Sequence, residues 1–299
     1  MKYSVIIPVK DEEDNIKPLI DNIKEVLKED YEIIFIDDGS TDGTYEEICK
    51  YDVRCIKFRK NYGQTAAMAA GFKHAQGDTI ISMDGDLQND AKDIPRLLSV
   101  MEEGYDLVTG WRRDRQDPFM KKWISKGANW FGQKITGVKI HDSGCSLKVY
   151  KKEVAKNLNI FGELHRFIPA VAISQGYSVG EIAVTHHPRI HGKTKYGFKR
   201  IMKGLLDVLF VKFWGSFSTK PIHFFGFLGL LQFFLSFLIV AEQVIKAFIV
   251  KGFYIGPLLL LAVMLFLNGT IFIVFGFLSE ILIRIYYKEQ EPFQIETFK

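Results

Sequence analysis

The sequence predicts an α/β domain with a mainly parallel sheet, followed by amphipathic helices and a two-helix transmembrane hairpin. Three observations carry this prediction. Short β-branched and apolar runs alternate with helix-length amphipathic segments in the first third of the chain, the pattern of strands joined by helical crossovers. Acidic, glycine-containing turns close two of those runs, at Asp37-Asp38-Gly39 and Asp84-Gly85-Asp86. Near the C-terminus, 21 residues between Lys220 and Glu242 and 28 between Lys251 and Glu280 carry no Asp, Glu, Lys or Arg, and each is long enough to span a bilayer.

The elements follow in order. Tyr3 to Val9 is a β-rich run with Pro8 near its end, and Asp14-Asn15-Ile16 opens an amphipathic helix whose apolar stripe is Ile16, Leu19, Ile20, Ile23, Val26 and Leu27. A buried strand from Glu32 to Ile36 ends in the acidic turn and leads to a helix at Thr44 to Lys50. A third strand covers Val53 to Phe58, with a helix starting near Gln64. The run Thr79 to Met83 precedes Asp84, a helix covers Asp93 to Met101, and Leu107-Val108-Thr109 forms a further strand. No internal repeat appears.

The length of 299 residues suits one soluble domain of roughly 200 residues plus something smaller. No N-terminal signal peptide is expected ahead of the spans. Lys199, Arg200, Lys203, Lys212 and Lys220 precede the first span, Arg284 and Lys288 follow the second, and only Lys246 and Lys251 lie between, so the positive-inside rule puts both termini in the cytoplasm. The expected organisation is a cytoplasmic domain at 1–195, a juxtamembrane amphipathic helix at 196–220, spans at about 221–248 and 254–283, and a tail at 285–299. Phe119, Met120, Trp123, Ile124, Trp130, Phe131 and Ile135 fall opposite Lys121, Lys122, Lys126 and Lys134, the stripe of an interface helix at about 118–136. Segment 196–214 repeats it, with Ile201, Leu205, Val208, Leu209 and Phe213 against a basic face.

Cys49, Cys55 and Cys145 show no C-x-x-C spacing, which fits packing residues in a reducing compartment and argues against a disulfide or zinc framework. The net charge of +4 is modest, and the cations cluster in 112–134 and 189–220, pointing to a membrane face or phosphate partners. Nucleic acid is disfavoured, since no binding motif accompanies the charge.

Asp84 and Asp86 stand where a buried strand ends, the edge at which α/β sheets bind ligands, and two hard oxygens there suit Mg²⁺ or Mn²⁺ shared with substrate phosphates. The alternative is a solvated turn or helix cap. Asp38, in the other acidic turn, can accept hydrogen bonds from a ribose hydroxyl or a base N–H; Ser40, Thr41 and Asp42 suffice for capping. Lys60-Asn61-Tyr62-Gly63-Gln64 leads into a small-residue helix whose start can face phosphate. His186, His187 and His191 lack the partners of a tetrahedral zinc set.

The segments VIIPVKDEEDNI, IIFIDDGSTDGT, RKNYGQTAAMAAGFKHAQGD, ISMDGDLQND, HDSGCSLKVYKKEV and HHPRIHGKTKYGFKR resemble the inverting family-2 glycosyltransferases of GT-A fold, and within them the polyprenyl-phosphate glycosyltransferases. The first motif departs from the usual Asn-Glu, with Asp11 before Glu12, which leaves the role of Asp11 open. The resemblance implies that Pro8, Val9, Glu12, Asp38 and Asp84 hold the donor nucleotide, that Asp84, Asp86 and Gln88 hold Mg²⁺ or Mn²⁺, and that Asp142 and Arg189 act with Asp86 in catalysis. Arg112, Arg113, Arg189 and Lys195 are the candidates to receive the phosphate of a polyprenyl acceptor. Glu163 and Arg166, in GELHRF, resemble a sugar-reading segment or else form an internal ion pair. The implied reaction moves one sugar from a nucleotide-sugar, UDP-linked before GDP-mannose, to polyprenyl phosphate. An ionised phosphate needs no general base, so Asp142 serves as base or as a positioning group.

Three alternatives stay open at this stage. A processive polysaccharide synthase lacks its Gln-x-x-Arg-Trp motif here. A silent membrane scaffold is at odds with the intact acidic residues, and a nucleotidyltransferase with the missing N-terminal glycine-rich basic loop. Gly226, Gly229, Gly269 and Gly276 would permit close helix packing between protomers of a homo-oligomer.

Overall fold

The computed structural model describes residues 1–28, 30–113, 140–162, 164–188, 213, 217, 220–250 and 256–286. It divides into two compact units, Met1–Lys212 and Phe213–Lys299. The interface helix expected at 118–136, almost all of the juxtamembrane helix, Glu163, Arg189, His191, Lys195 and most of the tail lie outside the described residues.

The first unit is built on a seven-stranded sheet of order β3-β2-β1-β4-β6-β5-β7. Its strands are β1 Tyr3–Val9, β2 Tyr31–Asp37, β3 Arg54–Lys57, β4 Thr79–Ser82, β5 Leu107–Trp111, β6 Lys148–Lys151 and β7 Val179–Ala183. Only β6 runs antiparallel, to β4 on one side and β5 on the other. The central strands are apolar on both faces because both are covered. Val5 and Ile7 of β1 face a cluster with Ile16 and Leu19 of α1 (Glu13–Val26) and Leu97 of α4 (Ile94–Glu102). Ile6 faces the opposite cluster, with Phe72 of α3 (Gln64–His74) and Ile168 of α6 (Ile168–Ser174). The short α2 (Thr44–Ile48) and α5 (Lys152–Asn157) complete this unit's α-helices among the described residues.

The expected strands and helices up to residue 111 appear at the expected places within a few residues. The antiparallel β6, the edge strand β7 and the helices α5 and α6 are additions that the periodicity did not disclose. The four residues of β6 offer few positions for alternation to be read, and one of them is a charged residue, Lys148, that is 1% exposed.

The second unit is a helical hairpin, α7 (Pro221–Val250) and α8 (Pro257–Tyr286), each with a proline at its first position, where the missing N–H is harmless. Both helices are long and apolar enough to cross a membrane. Their large side chains point outward, Phe227 at 66% exposure and Leu282 at 65%, which a soluble core helix would not show. Gly229 and Gly269 sit where the helices touch: a Cβ on Gly229 would lie 2.7 Å from the Gly269 carbonyl oxygen. Gly276 abuts Ile222 and Phe225, and the Ser236 hydroxyl donates to the Ala262 carbonyl at 2.7 Å. Three of the four glycines noted for packing between protomers therefore pack inside the hairpin; nothing lies within 4 Å of a Cβ on Gly226. Gly229→Val is expected to destabilise the hairpin by about 1–3 kcal/mol through overpacking. Thermal unfolding in detergent checks it, with Gly226→Val unchanged.

Candidate active site at the carboxyl ends of the strands

Strand order reverses between β1 and β4, and pairing there ends at Ile6 opposite Ser82. Such a switch point opens a crevice beyond the strand ends. Asp84, Gly85 and Asp86 turn into it. A Cβ on Gly85 would stand 2.5 Å from Val9 Cγ1, so only glycine lets this turn pass so close to β1. Asp84 Oδ1 accepts from Gln64 Nε2 at 2.7 Å, and its N–H donates to Asn89 Oδ1 at 3.1 Å. Asp86 is 5% exposed, and its Oδ1 accepts the Gln88 N–H at 3.2 Å. Between them Leu87 takes φ 59°, a left-handed conformation that strains a leucine and is found where a site over-determines the backbone.

On the β1–β2 side two loops are stitched together. Asp11, at φ 54°, accepts the Thr41 N–H at 2.7 Å and donates its own N–H to Ser40 Oγ at 3.0 Å. Asp is among the few residues other than glycine that tolerate this conformation. The Glu12 N–H donates to Thr44 Oγ1 at 2.8 Å. Pro8 lies past the last β1–β4 pair, and the Val9 carbonyl accepts the Asp38 N–H at 2.9 Å. Both carboxylate oxygens of Asp38 accept backbone N–H groups, from Tyr62 at 2.7 Å and Gly63 at 2.9 Å, so Asp38 fixes the loop before α3. Asp37 Oδ1 accepts the Ser40 N–H at 2.8 Å, while its buried Oδ2 has no protein partner. Gly39, at φ 69°, lets this turn pass against Lys60, whose carbonyl carbon would lie 2.6 Å from an added Cβ.

The third wall joins Arg112 to Asp142. The guanidinium clasps the carboxylate with Nε donating to Oδ2 at 2.7 Å and Nη2 to Oδ1 at 2.9 Å, and both side chains are nearly buried. Burial would push the Asp142 carboxyl up, but the Arg112 guanidinium holds it below the usual carboxylate range. Burial opposes the charge of Arg112 too, and Asp142 more than restores it. A depressed carboxylate contributes its stability above the unfolded value of about 4 and loses it only as pH falls through the lower folded one. The pair is therefore charged throughout the neutral range. Arg113 is exposed, its guanidinium 5.9 Å from the Trp111 ring centre. Lys148 is fully buried and donates to the Cys145 carbonyl; burial pushes its ammonium pKa down, against the pull of Asp142 and Asp84.

The acidic turn is also tied to the segment ahead of residue 189. The His187 N–H donates to the Gln88 carbonyl at 2.9 Å, Gln88 Nε2 donates to the His187 carbonyl at 3.3 Å, and the Thr185 N–H donates to Asp93 Oδ2 at 2.6 Å. His187 Nε2 lies 3.1 Å from Asp90 Oδ2, an ion-pair geometry rather than a zinc site. Near the start of α3, Thr65 Oγ1 meets His165 Nδ1 at 2.6 Å, and Arg166 Nε donates to His165 Nε2 at 3.4 Å. Among the described residues, sequence reasoning missed Asn89, Lys148 and Glu181 as parts of the site, and it placed Gln64 at a helix start that can face phosphate without its bond to Asp84. Lys148 alone left a signal, a lysine inside an apolar run.

The donors fit a divalent cation. Burial, and then the charge of Asp86, raise the Asp84 carboxyl above its usual range, a penalty that a cation between them would relieve. Anchoring of Gln88 Nε2 leaves Oε1 as the atom available for ligation. No three His, Cys, Asp or Glu side chains among the described residues form a closed metal cage. An incomplete hard-oxygen shell is what a Mg²⁺ or Mn²⁺ shared with phosphates requires.

Residues 4–158 match the family model Glycosyl transferase family 2. The chain is 41% identical over 304 residues to the dodecaprenyl-phosphate galacturonate synthase of Rhizobium johnstonii, covering 97% of this chain and 90% of the relative. It is 34% identical over 296 residues to the undecaprenyl-phosphate 4-deoxy-4-formamido-L-arabinose transferase of Proteus mirabilis, covering 95% and 89%. In structure it is similar to glucosyl-3-phosphoglycerate synthase from Mycobacterium tuberculosis in complex with Mn²⁺, UDP-glucose and glycerol 3-phosphate, with TM-score 0.56 and 15% identity over 72% of this chain and 79% of that one. A mixed sheet of GT-A type, an acidic turn at its switch point and relatives matched over nearly their whole length make this chain a member of glycosyl transferase family 2, a glycosyltransferase of the polyprenyl-phosphate group.

Proposed function

We propose that the enzyme transfers a single sugar, with inversion and with Mg²⁺ or Mn²⁺, from a nucleotide-sugar to polyprenyl phosphate at the cytoplasmic face of the membrane, with both termini cytoplasmic. In this reading 1–195 is the catalytic domain, and the spans of 221–284 hold it beside its lipid substrate. The observation that carries the reading is the crevice itself, where the Asp84–Asp86 turn follows β4 and the Arg112–Asp142 pair ties the end of β5 to the segment that leads into β6. Pro8, Val9, Glu12 and Asp38 border the nucleoside end, Asp38 through the loop at Tyr62 and Gly63. Asp84, Asp86 and Gln88 would hold the metal, which supplies Lewis-acid stabilisation of the departing nucleoside diphosphate. UDP-linked sugars are favoured over GDP-mannose; galacturonate and 4-deoxy-4-formamido-L-arabinose, named for the relatives, lead the donor list.

The chemistry divides between the two ends. A phosphate oxygen of the acceptor forms the bond to the anomeric carbon, the bond from that carbon to the diphosphate breaks, and the electron pair leaves with the diphosphate. No proton need move, because a phosphomonoester with a second pKa of about 6 is largely dianionic at neutral pH. Asp142, held below the usual carboxylate range, is a weak base and a good anchor for Arg112. Arg112, with Arg113, Arg189 and Lys195, would draw the anionic acceptor toward an anionic donor, which opposite charge makes easier.

Labelled sugar transfer to undecaprenyl phosphate is measured with UDP-galacturonate, nucleotide-linked 4-deoxy-4-formamido-L-arabinose, UDP-glucose, UDP-N-acetylhexosamines and GDP-mannose. One donor is expected to yield a single-sugar glycolipid. EDTA should abolish transfer, and Asp86→Ala should lower it by about 10²–10³-fold; full activity with EDTA, or a polymeric product, would overturn the reading. Asp142→Asn breaks a buried pair worth about 3–5 kcal/mol when one partner is removed, so turnover falls. Its residual pH–rate profile should keep an acid limb near pH 6, set by the acceptor phosphate at about that pKa. Loss of the limb would make Asp142 the base.

A further inference from the structure

Ile140 and His141 lead into the turn that places Asp142 against Arg112. What holds it there comes from the far edge of the sheet. Glu181, on β7, lies in register with Thr109 of β5, three residues before Arg112. Its Oε1 accepts the Asp142 N–H at 2.9 Å, and its Oε2 accepts both the His141 N–H at 3.1 Å and His141 Nδ1 at 2.7 Å. One carboxylate thus takes two consecutive backbone amides and the ring between them. The His141 ring stacks on Trp111 with centres 4.4 Å apart and planes at 19°, so the residue beside Arg112 supports the same turn from the other side.

The chain direction makes this arrangement informative. A carboxylate that faced Asp142 directly would repel it, whereas Glu181 meets only the Asp142 backbone and leaves both carboxylate oxygens to Arg112. Nearly buried, with its side chain 13% exposed, Glu181 would be costly to keep without those three donors. Removing it would orphan two loop amides, whereas the bonds from Gln64 to Asp84, from Asp84 to Asn89 and from Gln88 to His187 do not involve it.

We infer that Glu181 is a positioning residue for the acceptor end of the site: it sets Asp142, and through it the Arg112 fork, without contributing to donor binding. This rests on the proposed acceptor role of Asp142.

The full-length enzyme in detergent is compared with Glu181→Ala and Glu181→Gln. Glutamine keeps one acceptor oxygen and turns an N–H₂ toward the other amide, so it conserves shape while breaking half of the clip. Hydrogen exchange is read on peptides covering 140–146 and 83–90, Mn²⁺·UDP affinity by calorimetry, and turnover with the donor found active. Both variants should exchange faster at 140–146 alone and bind Mn²⁺·UDP within about twofold of the parent. Turnover should fall by about 10–100-fold in Glu181→Ala, the range for loss of a supporting partner, and less in Glu181→Gln. Unchanged exchange at 140–146 in Glu181→Gln overturns the clip. Turnover that falls together with Mn²⁺·UDP affinity in both variants overturns its confinement to the acceptor end. A freed loop with parental turnover leaves the clip standing and overturns the role given to Asp142. Because exchange and Mn²⁺·UDP affinity need no transfer, they are readable even if no donor proves active.

Discussion

Everything at this site depends on one limit in the sheet, the end of pairing between β1 and β4 at Ile6 and Ser82. Past that point the two strands diverge, one toward α1 and the other into the acidic turn. Gly85 is pressed against Val9 and Leu87 is forced into a left-handed backbone, so the turn has little room to sit anywhere else. Groups from three other segments converge around it. Gln64 reaches in from the start of α3, Asn89 ties Asp84 to the hydroxyl of Ser146 at 2.9 Å, and Gln88 is clamped to His187. A preorganised arrangement of this kind gives its charge stabilisation without reorganising during the reaction.

The electrostatics follow from the crowding. Asp84 and Asp86 repel each other in a partly dry place, and the structure sets Arg112 and Lys148 within reach of their field. Lys148 is the less expected of the two, an ammonium with one carbonyl acceptor and no exposure to water. The cations lie on the β5–β6 side and the carboxylates on the β4 side, which polarises the crevice along the sheet edge. A nucleoside diphosphate with its cation suits one end of that gradient, and a second anionic group the other.

Much of this was legible in the chain. Strand runs ending in acidic turns located the residues of the crevice at the β1–β4 switch point, and the long uncharged stretches announced the hairpin, because each of those signals is local. Asp38 was legible as a residue but not in its manner of acting, since the amides of Tyr62 and Gly63 that occupy it lie more than twenty positions away. The Arg112–Asp142 clasp was hidden for the same reason: both residues stood out, yet their separation of 30 gave no hint that they pair. Glu181 left no trace at all, because a glutamate on an edge strand reads as a solvated one until the loop it holds is in view. Three of the four glycines that suggested contacts between protomers pack inside the hairpin, a distinction that helical spacing cannot make.

The place of β6 has a consequence for how the molecule comes into being. In space it separates β4 from β5, but in the chain it follows β5 by some forty residues, so β5 and its neighbour β7 have no route into the sheet until residue 151 has been made. The segment through β4 can gather its own α/β layers early during synthesis, with mostly near-neighbour contacts. Within the sheet the second half joins through one antiparallel seam, β4 to β6, and it fills out both hydrophobic clusters as it does so. The two halves of the crevice thus have separate birthdays: the acidic turn belongs to the part that forms first, and the arginine clasp arrives only when that seam closes.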